Sequence, residues 1–213
     1  MHPLCEPLRR ALADPALAGL HGHFHTHVTV HASPETFSGL GEIPGARLTV
    51  IDLAGAQTQR DLMLTIGHVG PLPALAEGLF LALARLHERQ VPVLRVKVEH
   101  GSLPTVPRFD RRRYREAHLK LRLPRQGLEA RLDTLRAAAP GRGYALSRNP
   151  REQAAEHVTQ FVNLRIYEGD LADSDARIDA LERWLAEQGM APLEVRRETT
   201  LIDTALDLDA WWA

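Results

Sequence analysis

The chain has 213 residues, 44% of them hydrophobic and 25% charged, with a formal net charge of -1. That length supports one large domain or two small ones with a proper core, and the near-zero charge supplies no general field toward nucleic acid or an anionic membrane. One cysteine, Cys5, excludes an internal disulfide framework, and no apolar run reaches the length of a membrane span.

In chain order, a short helix is expected near 7–18, followed by a strand at HFHTHVTV, where Phe24, Thr26, Val28 and Val30 alternate with histidines. A Ser-, Pro- and Gly-rich connection leads to two strands, RLTVIDL and DLMLTIG, then to an apolar-periodic helix over about 73–89. VPVLRVKVEH is the clearest alternating strand of the chain. GSLPTVPRFDRRR, with prolines at 104 and 107, reads as a linker.

A second series follows: the strand REAHLKLRL, a helix near 126–138, the strands GYALSR and QFVNLRIYEG, a helix over 172–188 and the strand LEVRRETT. The two series repeat. Leu62, Leu64 and Ile66 pair with Val162, Leu164 and Ile166, and the stretch from Leu86 to Glu99 sets beside that from Leu185 to Glu198, matching Glu99 with Glu198. The expected fold is therefore α+β. It consists of two duplicated ferredoxin-like βαββαβ halves, 1–106 and 107–213, whose antiparallel sheets face a central cleft.

In such a unit the apolar side of each strand covers the helices and the polar side lines the open face. That face collects His23, His25, His27 and Thr29 from the first strand, and Arg95, Lys97 and Glu99 from the fourth. The second half adds His118, Lys120, Arg122, Asn163, Arg165 and Arg196. It holds both lysines of a chain that otherwise uses 24 arginines as its basic residues. His27 and His118 lie 91 positions apart at equivalent places, as do Thr29 and Lys120.

Here the sequence resembles the 2H phosphoesterases, the superfamily of the 2'-5' RNA ligase-like proteins and cyclic nucleotide phosphodiesterases. The likeness rests on HVTV (His27, Thr29) and HLKL (His118), with Lys120 where that family has a hydroxyl. It implies metal-independent hydrolysis of a phosphate ester, cyclic nucleotide or RNA end, with no cofactor. His27 and His118 would be the acid and base and Thr29 a phosphate contact. On chemical grounds Lys120 supplies a compact charge in place of the hydroxyl, and Lys97, Arg165 and His25 are supporting contacts. The expected partner is a phosphate-containing small molecule or RNA end, in a cytoplasmic protein without membrane contact; a homodimer is left open. Two alternatives remain: a non-catalytic anion-binding protein of the same fold, or a metal-binding protein using the histidine row.

Along a strand, His23 and His27 stand about 13 Å apart, too far for one ion without a bend, so His21, His23 and His31 are read as solvated strand-edge residues. RFDRRRYRE mixes arginines with Phe109 and Tyr114 as RNA-binding segments do, but a basic run in a linker is read first as solvated or paired with acidic neighbours. Arg148, at a strand end in SRNPRE, is read first as an ordinary surface arginine, with an anion clamp as the alternative. Trp211 and Trp212 close the chain and are expected to dock on the fold.

Overall fold

A computed structural model of the chain describes residues 2–54, 59–101, 109–150, 152 and 154–206; Trp211, Trp212, Pro104 and Pro107 lie outside them. Its strands are β1 (His21–Val30), β2 (Ala46–Ala54), β3 (Gln59–Pro71), β4 (Val93–His100), β5 (Tyr114–Pro124), β6 (Tyr144–Arg148), β7 (His157–Ile166) and β8 (Glu194–Asp203). The helices among the described residues are α1 (Cys5–Leu12), α2 (Pro34–Gly39), α3 (Leu72–Glu88), α4 (Leu128–Arg142) and α5 (Leu171–Glu187), with 3-10 turns at Pro15–Leu17 and Leu40–Glu42. No helix is long and apolar enough to cross a membrane.

Local chemistry explains the boundaries. Asp170 caps α5 by accepting from the Asp173 amide while the Asp173 side chain accepts from the Asp170 amide. Ser33 caps α2, whose single turn and a half stands where the repeat requires the first helix of its half. Gly143 takes the left-handed conformation that ends α4, its amide donating to the Ala139 carbonyl at 2.8 Å.

The strands hydrogen-bond in the order β1-β3-β2-β6-β7-β5-β8-β4, which closes on itself as an eight-stranded antiparallel barrel. This corrects the expectation of two open sheets facing a cleft. The edge strands that would leave each sheet open are paired: β2 with β6 through Asp52 and Arg148, and β4 with β8 through Lys97 and Asp203. An unpaired edge exposes a row of backbone donors and acceptors, and closure removes it.

Contacts divide the chain into two compact units. Among the described residues, one comprises 2–49, 62–101 and 199–206; the other comprises 50–54, 59–61, 109–150, 152 and 154–198. In the first, α3 lies against β1 and α1 against α3. Phe24 and Val28 of β1 and Leu79 and Leu83 of α3 are completely or almost completely buried. In the second, α4 and α5 cover β5 and bury Leu119, Leu121, Leu135, Ile178 and Leu185. Each fully buried leucine or phenylalanine side chain contributes about 1.5–3 kcal/mol.

The polar faces differ from the expected wet surface. Thr29, Arg95, Lys97, Glu99, Glu116, Asn163, Arg165 and Glu198 are all buried, while Arg122 and Arg196 are exposed. Buried charges are tolerated only when paired, so their partners decide what these faces do.

Candidate active site

In the first unit β1 runs between β3 and β4, which places His27 opposite Thr65 on one side and Lys97 on the other. The His27 ring is held at both nitrogens. Nδ1 lies 3.0 Å from Thr65 Oγ1, and Nε2 lies 2.9 Å from Glu99 Oε2. Lys97 Nζ meets the other oxygen of the same carboxylate at 2.5 Å. An ionised Glu99 requires Nε2 to carry the proton. Nδ1 of the neutral ring then accepts from the Thr65 hydroxyl, which itself lies 3.3 Å from Thr49 Oγ1. On the same strand Thr29 is buried opposite Met63 and Arg95, and Arg95 forms a two-pronged pair with Asp203. His25 sits opposite Glu99, half-buried, its ring 6.4 Å from that of His27.

In the second unit β5 repeats the device with a different outcome. His118 stands opposite Asn163, and its Nδ1 lies 2.7 Å from Asn163 Oδ1. The amide is oriented by its other end, because Nδ2 donates to Ser147 Oγ at 2.8 Å and reaches the Ala145 carbonyl at 3.4 Å. Nδ1 of His118 is therefore the donor, and the neutral ring keeps a lone pair on Nε2. That nitrogen faces Glu198 Oε2 at 3.6 Å and Glu116 Oε1 at 3.9 Å, beyond hydrogen-bonding distance of either. Glu116 is fixed in turn by Arg165 Nε at 3.1 Å. The carboxylates are almost wholly buried, whereas the His118 side chain is 27% exposed.

Drawn as neutral rings, the two histidines are opposite tautomers. His27 is hydrogen-bonded at Nδ1 and ion-paired with Glu99 at Nε2, while His118 is hydrogen-bonded at Nδ1 and has carboxylates near Nε2 without a hydrogen bond to them. The structure brings Lys97 to His27 through Glu99, and Arg165 to His118 through Glu116. Lys120 leads elsewhere: its ammonium pairs with Glu152 at 2.7 Å and lies 5.7 Å from the centre of the Phe161 ring.

Register also refines the repeat. Thr65 faces His27 and Asn163 faces His118, so these two residues are equivalent, two places away from the match of Leu64 with Leu164 drawn from the sequence. Thr65, Asn163 and the glutamates complete the site. Glu99 and Glu198 were visible as matched positions of the repeat, and Asn163 and Glu116 as polar strand positions; Thr65 carries no sequence signal.

No family model matches the chain, and no curated protein matches it. Among solved structures it is similar to a mutant chlorite dismutase from Candidatus Nitrospira defluvii. There the identity is 13% and the TM-score 0.29, over 91% of this chain and 97% of that one. It is also similar to a dye-decolorizing protein from V. cholerae, at 9% identity and a TM-score of 0.27, over 87% and 95%. At these scores neither likeness assigns an activity.

The phosphoesterase reading is corrected on these findings. The closed strand order replaces the open cleft on which that reading rested. The charges oppose it as well. Lys97, Arg165 and Lys120, expected to meet phosphate, are each paired with a carboxylate, and both histidines have carboxylates beside Nε2. A hydrolase acting on phosphate and an anion-binding cleft are set aside together. Among the described residues, no histidine of the His21 to His31 row belongs to a group of three potential ligands close enough to share one cation. In RFDRRRYRE, Phe109 and Tyr114 are buried, which removes both rings from base stacking; Arg108 lies outside the described residues.

Proposed function

We propose that the chain is an acid–base enzyme acting on a small molecule whose reacting group is neutral or cationic, with His118 as the general base. One observation carries this reading: the Nδ1–H of His118 is fixed by an amide locked in orientation, leaving Nε2 as a lone pair backed by two buried carboxylates. Asn163 selects the tautomer. When Nε2 takes a proton from the substrate, Glu198 and Glu116 stabilise the imidazolium that forms, and the same carboxylates repel an anionic reacting group. Arg165 keeps the Glu116 carboxylate in place. His27, hydrogen-bonded at Nδ1 and ion-paired with Glu99 at Nε2, is a positioning element of its own unit.

The test is exchange of carbon-bound protons into D2O, followed by NMR, over a panel of small carbonyl compounds and amines. The native chain is expected to exchange at least one of them, His118→Asn to lose about 100-fold or more, and Glu198→Gln to lose a smaller factor. Native-level exchange in His118→Asn would remove the base assigned here.

A further inference from the structure

The second unit carries one group of charges that the histidine chemistry does not use. Asp52 of β2 is 3% exposed and receives two arginines at once. Arg60 Nε donates to Oδ1 at 2.7 Å, and Arg148 Nε donates to Oδ2 at 3.3 Å. Asp52 and Arg148 are direct cross-strand partners, so the arrangement is built into the pairing of β2 with β6. Both arginine side chains are more than half exposed. Among the described residues each guanidinium hydrogen-bonds to Asp52 through Nε, which leaves its η nitrogens to meet a ligand.

This arrangement is poorly explained as a structural tie. A single arginine satisfies a carboxylate with two parallel N–H donors, whereas here two cations share one anion and neither forms the fork. A second exposed arginine adds little stability and brings like-charge repulsion. The trio carries one net positive charge, and Asp52 holds the guanidinium planes in place before any ligand arrives. Asp52 is itself held below the ordinary carboxylate range, first by the hydrogen bond from Arg60, so it stays ionised and keeps both arginines oriented.

We infer that Arg60 and Arg148, oriented by Asp52, form a binding site for the oxyanion of a small molecule, a phosphate or carboxylate group held by their η nitrogens. The site is separate from His118 in chemistry, because it attracts the anionic groups that Glu116 and Glu198 repel. It suits the anionic handle of a substrate or an effector.

The test uses the full chain and inorganic phosphate, with acetate as a second arm and chloride at matched ionic strength as the reference. The resonances of the two arginine Nε–H groups, which Asp52 protects from exchange, report binding. Saturable shifts with phosphate or acetate, absent with chloride, are expected, and the stronger of the two identifies the head group. Arg60→Lys and Arg148→Lys keep the charge and remove the planar donors; each is expected to weaken binding about tenfold or more while the chain stays folded. Shifts that follow ionic strength alone, or lysine variants that bind as well as the native chain, would overturn the site.

Discussion

Replacing Asn163 with leucine probes the His118 geometry most directly, because the two side chains share the same heavy-atom branching while leucine can neither accept from Nδ1 nor donate to Ser147. Two polar groups lose their partners, the His118 Nδ1–H at 2.7 Å and the Ser147 hydroxyl at 2.8 Å. An orphaned buried group costs about 1–3 kcal/mol, and His118 recovers part of that from solvent, so a loss of about 2–4 kcal/mol is expected in urea unfolding. Adding Ser147→Ala removes one orphan and returns about 1 kcal/mol. The chemical consequence is separable from the stability loss. Without Asn163 the neutral ring is free to place its proton on Nε2 and donate toward Glu198, which abolishes the lone pair. The ¹⁵N shifts of His118 should move from the Nδ1–H to the Nε2–H pattern, and proton exchange should fall about 100-fold. An unchanged ¹⁵N pattern in the folded variant would refute the claim that Asn163 sets the tautomer.

Gly22→Ala should destabilise the chain by about 2–4 kcal/mol, since a Cβ there would stand 2.3 Å from His100 Nε2 on a backbone with φ of +150°; His100→Ala in the same chain should return part of the loss in urea unfolding. Burial holds the His100 imidazole below its ordinary value of 6.5, opposed by its bond to the His21 carbonyl, so the folded ring stays neutral where the unfolded ring binds a proton. Stability from this group is therefore complete above about pH 6.5 and lost as pH falls below it, and His100→Gln should flatten the urea midpoint between pH 7.5 and 5. Arg95→Ala, which takes the guanidinium from the buried Asp203 carboxylate and leaves it the Ala205 amide, should cost about 3 kcal/mol by the same measurement.

Alternation and repetition are local properties of a chain, and they were legible. Phe24, Val28 and Val30 identify one face of β1; Leu75, Leu79 and Leu83 identify a helix; the matches of His27 with His118 and of Glu99 with Glu198 mark equivalent positions that the structure gives equivalent partners. Helix ends moved by a few residues where caps such as Asp170 decide them.

The polar faces could not be read in the same way. A strand with a wet side and a strand with a buried charged side show the same period of two, because the period reports only that two faces differ. What settles the matter is whether the sheet edges pair. Pairing of β2 with β6 and of β4 with β8 is made by backbone hydrogen bonds between segments about 100 residues apart, which carry no side-chain signature. Once those edges closed, Lys97 and Arg165 were buried and could persist as charges only beside Glu99 and Glu116. The sequence by itself matched His27 with His118 and Glu99 with Glu198, whereas the match of Thr65 with Asn163 came from strand register. Tertiary structure decided what each ring meets: Nδ1 of His27 faces a threonine hydroxyl and Nδ1 of His118 an amide oxygen, while Glu99 lies 2.9 Å from Nε2 of the first and Glu198 3.6 Å from Nε2 of the second.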